Sequence, residues 1–204
     1  MIIVQSLTVH TGRAASLRRS NVDTDQIIPA RYCLTVSRTG FADHLFAAWR
    51  QDPDFILNRP ENSSATILIA GPDFGTGSSR EHAVWALQDF GFRVVISSRF
   101  GDIFRGNATK SGLLPALVEE EAVLALQQRV EDDATARVTV DVVERRARCA
   151  DLDVPLSIDE FTRRRFLEGL DDIDLTLLHA DGIDSYEARR PAGLPTISTQ
   201  GGLS

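Results

Sequence analysis

The run from Ala65 to Ser98 constrains this chain most. "ATILIA" is a short continuous apolar stretch, "GPDFGTGSS" is a glycine-punctuated turn, "REHAVWALQDF" has helical composition and stops at Gly91, and "RVVISS" is a second β-branched stretch. A short apolar run without polar alternation fits a strand buried on both faces. Strand, tight turn, helix and strand make a βαβ unit, and the crossover returns the chain to the same end of the sheet, so the two strands are parallel. Gly91 falls where a helix end favours a residue free to take positive φ. The fold class is therefore α/β.

Other segments fill in around this unit. Ile2 to Val9 reads as a first strand, with a turn at Thr11-Gly12. "NVDTDQIIPARY" (21–32) reads as a loop with a short strand. "GFADHLFAAWR" (40–50) spaces Phe41, Leu45, Phe46 and Trp49 as a helix does. "QDPDFILNRPENSS" is a polar loop around a small apolar patch, and "RFGDIFRGNATKSG" is a glycine-punctuated loop carrying Asn107 and Lys110. "EEEAVLALQQRV" has acids at its start and Arg129 near its end, as the helix dipole favours. "ARVTVDVVERRARCADLDVPLSI" alternates like strands and hairpins. "SIDEFTRRRFLEGL" places Ser157 and Glu160 in capping-box spacing, and Arg163 to Arg165 read as a solvated helix face. Trp49 and Trp85 are core candidates. No internal repeat is found. A single domain over residues 1–190 is expected, with a Pro-, Gly- and Ser-rich tail over 191–204.

Charge and cysteine usage narrow the function. Acidic residues number 29 against 22 basic ones, a net charge of −7 that argues against nucleic-acid binding. No apolar run is long enough to span a bilayer. Cys33 and Cys149 lie far apart, which disfavours a disulfide framework and suits a cytoplasmic protein. Two thiols are also too few for a cubane iron–sulfur cluster, which takes three or four, so no cofactor is expected in this chain.

The glycine turn holds the chemistry. A dinucleotide fingerprint would need glycine where Arg80 stands, a phosphate loop would need Gly-Lys-Ser/Thr, and a nucleophile elbow would need glycines two residues either side of Ser78. None is present. Gly75 and Gly77 allow the backbone to turn tightly and approach a ligand. Ser78 and Ser79 then stand at a helix N-terminus that favours negative charge, and Arg80 adds a fork for a carboxylate. Such a terminus with a nearby cation would also stabilise a Ser78 alkoxide, making it a conceivable proton acceptor. The plainer reading is that a serine caps the helix and Arg80 and Glu81 are surface charges. His82, one turn beyond Ser78, reads as structural support rather than a base. Asp23, Thr24 and Asp25 read either as a turn or as carboxylates that orient an arginine.

Taken together, "NVDTDQIIPARY", "RTGFADHLFAAWR", "FGTGSSREHAVWAL", "FGDIFRGNATKSGLLP" and "GLDDIDLTLLH" resemble, in order and spacing, the small subunits of 3-isopropylmalate dehydratase. The resemblance runs to about Arg190. It implies an aconitase-type swivelling β/β/α domain. It also implies a hydro-lyase of leucine biosynthesis that isomerises 2-isopropylmalate to 3-isopropylmalate through 2-isopropylmaleate. Activity would need a separate large subunit that bears a [4Fe–4S] cluster. By match to the "GSSRE" motif, Ser78 is the catalytic base, and Ser79 and Arg80 bind the dicarboxylate substrate. Asp25 matches the active-site aspartate of the "TD" motif, with Thr24, Gly75, Gly77 and His82 in support. Arg38, in "SRTGF", is the candidate second carboxylate-binding arginine. The chain has Thr76 where many members have cysteine, and "RYCLTVS" is less typical of them. A related hydro-lyase for another 2-substituted malate, and a non-catalytic module that kept the fold, are the alternatives.

Overall fold

The structure, a computed structural model, describes residues 5–34 and 37–190. The expected tail over 191–204 lies outside the described residues. The chain divides into two units, Met1–Asp171 and Asp172–Ser204.

The first unit is built on one sheet of the strands β1 (Val9–Leu17), β2 (Ala65–Ala70), β3 (Val94–Ser97), β4 (Leu114–Leu117), β5 (Arg137–Asp141), β6 (Arg146–Cys149) and β7 (Leu152–Pro155). Their order across the sheet is β4-β3-β2-β1-β5-β6-β7. The half made of β4, β3, β2 and β1 is parallel, whereas β5, β6 and β7 join it as an antiparallel meander. The expected βαβ unit is present as β2, α2 (Glu81–Phe90) and β3, with Gly91 closing the helix at φ +120°. The other helices of this unit are α1 (Thr24–Ile27), α3 (Asp102–Ser111), α4 (Glu120–Asp132) and α5 (Glu160–Glu168).

The parallel half is buried on both faces, which explains why its strands are apolar throughout. Leu68, Ala70 and Val95 point into a core shared with α2, α3 and the 27–57 segment. Ile67, Ile69, Val94 and Ile96 point the other way, into a core shared with α4 and the meander. This is the two-residue period of a pleated strand, with an apolar layer on each side. Gln127 on α4 is 1% exposed and donates from Nε2 to the carbonyls of Leu17 and Ile69, tying the helix to β1 and β2.

Several local expectations change. The turn expected at Thr11-Gly12 is the interior of β1. A Cβ on Gly12 would meet Thr66 Oγ1 at 1.9 Å, so glycine serves close strand packing there. Residues 40–50 form short 3-10 turns rather than one helix. Phe46 sits at φ +49° and its N–H goes to the Ile27 carbonyl, which interrupts any helical ladder. The loop expected around Asn107 and Lys110 is the polar helix α3, whose only buried residues are Phe104 and Ala108. Helix α5 is capped by Asp159, which accepts from the Thr162 N–H, while the Ser157 N–H pairs with the Leu117 carbonyl. Of the three arginines on that helix, Arg165 is 5% exposed and Arg163 donates to the carbonyls of Val142 and Val143. Trp49 and Trp85 are only partly buried and pack against the core.

In the second unit, α6 (Asp172–Leu177) and α7 (Ala180–Arg189) are described, and neither has a buried residue.

Candidate active site

The glycine turn leaves the end of β2 and is held by a second loop. The N–H groups of Gly75 and Thr76 both point at the Val22 carbonyl, at 2.7 and 3.3 Å. Gly75 has φ +77° and Gly77 has φ +89°, a region that L side chains rarely enter. Gly75 is also pressed against α3, where a Cβ would meet Phe104 Cγ at 2.2 Å. The chain beyond β3 closes in as well, and a Cβ on Gly101 would meet the Gly75 carbonyl at 2.4 Å. None of these three supports (Val22, Phe104, Gly101) has a signature in the sequence that ties it to this turn.

Within 21–32, in place of the expected loop with a short strand, Thr24–Ile27 form the helical turn α1 and Ala30–Tyr32 a 3-10 turn. Asp23 caps α1 by accepting from the Gln26 N–H at 2.7 Å, and the Gln26 side chain accepts from the Asp23 N–H at 2.9 Å. This reciprocal capping box holds a turn too short to persist by itself. Thr24, 2% exposed, spans Gly77. Its N–H donates to the Thr76 carbonyl at 3.0 Å and its Oγ1 donates to the Ser78 carbonyl at 3.0 Å. Asp25, the next residue, pairs with Arg80 at 2.6 Å, and Arg80 Nη1 also donates to the Ile28 carbonyl at 2.9 Å. The Arg80 side chain is only 13% exposed, whereas Asp25 is 60% exposed, so the guanidinium is anchored while its partner stays wet. The hydrogen bond from Arg80 holds the Asp25 carboxyl below the usual carboxylate range, and Asp25 in turn raises Arg80.

Helix α2 starts at Glu81, with Arg80 as its N-cap residue and no side-chain capping bond. Ser78 and Ser79 therefore precede the helix and do not cap it. Both are exposed. They lead into a terminus whose first N–H groups have no intrahelical acceptor.

His82 packs among aromatic rings. Its ring meets Phe41 edge-on at 5.3 Å and Trp85 at 4.6 Å, and its buried Nε2 has no hydrogen-bond partner among the described residues. Arg38 is exposed and lies over the Trp85 ring at 5.6 Å, along α2 rather than against Arg80. Cys33 lies near Arg80 and Asp25, where burial pushes its thiol up. A cavity of about 470 Å³ opens elsewhere, lined by Ser16, Arg18, Phe55, Ile56 and Glu131 among others, and none of the candidate residues lines it. Ser78, Ser79 and Asp25 are exposed at the candidate site, while Thr24 beneath them is buried.

The family model described as the aconitase C-terminal domain matches residues 4–121, which include β1 to β4 and the whole candidate site. A second model, the C-terminal domain of the 3-isopropylmalate dehydratase small subunit, matches residues 172–196. The 3-isopropylmalate dehydratase small subunit of Acidothermus cellulolyticus is 67% identical over 193 residues, covering 95% of this chain and 98% of that protein. The chain belongs to the 3-isopropylmalate dehydratase small-subunit family. The Thermobifida fusca member is 60% identical over 192 residues, covering 94% of this chain and 98% of its own. The crystal structure of a 3-isopropylmalate dehydratase from Methanocaldococcus jannaschii matches with a TM-score of 0.64 at 27% identity, over 88% of this chain and 99% of that one. The sheet and the helices on it are accordingly those of the aconitase-type swivelling domain expected from the sequence.

Proposed function

We propose that this chain supplies half of a split active site, with Ser78 as the base and Ser79 and Arg80 as the carboxylate grip. The chain is the small subunit of a leucine-biosynthesis hydro-lyase, which interconverts 2- and 3-isopropylmalate through 2-isopropylmaleate. The observation that carries the site assignment is that adjacent residues of one capped turn hold the two working positions: Thr24 bonds the Ser78 carbonyl and Asp25 bonds Arg80.

The chemistry follows from that arrangement. The dehydration needs a proton taken from the methylene carbon beside a carboxylate, and the rehydration needs one returned to the carbon bearing the isopropyl group. Ser78 Oγ takes the first and delivers the second. A serine alkoxide is too basic to form in bulk water. A helix N-terminus and an anchored guanidinium nearby stabilise it once closure excludes solvent. Arg80 offers the donors that Asp25 and Ile28 do not use to a substrate carboxylate, and Ser79 adds its hydroxyl. Because Arg80 is already held, little side-chain entropy is lost on binding.

The hydroxyl group leaves by chemistry that this chain does not carry. Among the described residues no group of three or more His, Cys, Asp or Glu converges as metal ligands, and Cys33 and Cys149 belong to different cores. An iron–sulfur cluster does not fit this chain and is assigned to the large subunit. The exposed serines suit a site completed by that second chain. Arg38, which lies over the Trp85 ring, is the proposed second carboxylate-binding arginine.

The test is an anaerobic turnover assay of 2-isopropylmalate with this chain, the large subunit, and the two mixed. Turnover is expected only in the mixture. Ser78→Ala should lower kcat in the mixture by on the order of 10³-fold, since a general base alone contributes roughly 10²–10⁴. Turnover by this chain alone, or an unchanged kcat in Ser78→Ala, would rule the assignment out.

A further inference from the structure

Helices α6 and α7 bury no residue, yet they and the link between them carry large apolar side chains. Leu177 is 61% exposed, Leu178 51%, Ile183 39% and Tyr186 58%. Soluble proteins do scatter single apolar residues on their surfaces, but a cluster within one short segment marks a contact surface. A further observation points the same way. Isolated helices shorter than about 12–15 residues are marginal in water, and α7 is a ten-residue helix with Gly182 in its first turn and no buried residue. Its own propensity is a weak hold, and a partner packed on its apolar side would stabilise it.

The surface also carries a charge signature. Ile183 and Tyr186 stand one turn apart on one face of α7, as i and i+3 residues do, and Asp184 and Glu187 run beside them with Asp181 a turn earlier. The Nε of Arg189 is turned back onto the Ser185 carbonyl. The result is an apolar stripe rimmed by carboxylates.

We infer that α6 and α7 form a docking element for the large subunit, whose matching surface is an apolar groove with a basic rim. This rests on the two-chain reading of the function. Two observations favour the large subunit over a second copy of this chain. An acidic rim meeting its own copy, in a chain of net charge −7, is repelled rather than steered. The segment also matches its own family model, described as belonging to the small subunit and separate from the aconitase C-terminal domain over 4–121.

The experiment uses the full chain with the large subunit, followed by sedimentation velocity at low and high salt, together with turnover in the mixture. The variants are Ser78→Ala and the triple Leu177→Ser, Ile183→Ser, Tyr186→Ser. Expected are equal binding by the parent chain and Ser78→Ala, weakened by salt, and binding by the triple variant weaker on the order of 10²-fold or more. The triple variant should keep the melting temperature of the parent chain and recover turnover when the large subunit is raised in excess, because its site is intact. Equal binding by the triple variant and the parent overturns the docking assignment while leaving the two-chain reading standing. A lowered melting temperature of the triple variant alone overturns it in favour of a face covered by this chain itself. Loss of a homodimer with unchanged binding to the large subunit overturns it in favour of a second copy. Absence of both association and turnover with the parent chain removes the two-chain reading and the docking element together.

Discussion

Gly75 and Gly77 lie two residues apart in one turn and both have positive φ, yet replacing each by alanine should have different consequences. Alanine in the left-handed region costs about 1–2 kcal/mol at either position. At Gly77 the new methyl would meet Asp23 Cβ at 3.5 Å, an ordinary contact, so that term stands nearly alone. At Gly75 the methyl would fall 2.2 Å from Phe104 Cγ and 2.5 Å from Phe104 Cβ. The crowded atoms are the root of that side chain, not its free end. Phe104 is 2% exposed and is boxed in by Phe74 and Phe100, with ring centroids at 5.3 and 6.2 Å, so it has nowhere to swing. Overpacking of this kind adds about 1–3 kcal/mol. Alanine also restricts the unfolded chain, which offsets about 0.4–1 kcal/mol at both positions. The net loss is then about 1–4.5 kcal/mol for Gly75→Ala and about 0–1.5 kcal/mol for Gly77→Ala. In a chain of this size those values correspond to falls in Tm of roughly 2–18 °C and roughly 0–6 °C. Thermal unfolding of both variants followed by circular dichroism is the assay. Gly75→Ala melting with the parent chain, or Gly77→Ala melting below Gly75→Ala, would refute the reasoning.

Thr24→Val keeps the shape of the side chain but leaves the Ser78 carbonyl without its donor. It should lower stability by about 1 kcal/mol and lower kcat more than it changes KM, with Thr24→Ser restoring both, as read by urea unfolding and turnover in the mixture. Asp25→Asn weakens the anchor on Arg80, so KM should rise by on the order of tenfold, since one charge-assisted bond is at stake, while Tm stays within a few degrees because the pair is largely hydrated. The pH dependence has a definite sign. The carboxyl of Asp25 is held below its unfolded value, so its contribution is fully present above about pH 4 and is lost as the pH falls through the lower folded value. Substrate affinity that held constant below pH 4 would remove Asp25 from the site.

The parts of the fold that were legible in the sequence are those where one periodicity dominates. The β2–α2–β3 unit reads directly because both strands are buried on both faces and the helix ends at a glycine. The α4 helix and the β5–β6–β7 meander read from acids at a helix start and from alternation. Helix α3 did not read as a helix because it buries only Phe104 and Ala108 and is otherwise polar. The 40–50 segment has a helical pattern that tertiary contacts overrule: the Phe41 N–H is taken by Asp89 Oδ2 at 2.8 Å and the Phe46 N–H by the Ile27 carbonyl.

The same division holds for the site. The amino-acid sequence by itself determined an α/β fold, a flexible glycine turn before a helix, and the serines and arginine able to serve a carboxylate there. Only the tertiary structure decided that Asp25 reaches Arg80, that Thr24 bridges Gly77 to hold Ser78, and that His82 and Arg38 turn instead to Trp85. Local spacing dictates which backbone conformations are open to a segment. It carries no information on which carbonyl or carboxylate, more than fifty residues away along the chain, will arrive to satisfy a buried donor, because that partner is chosen by the packing of the whole sheet and its two cores.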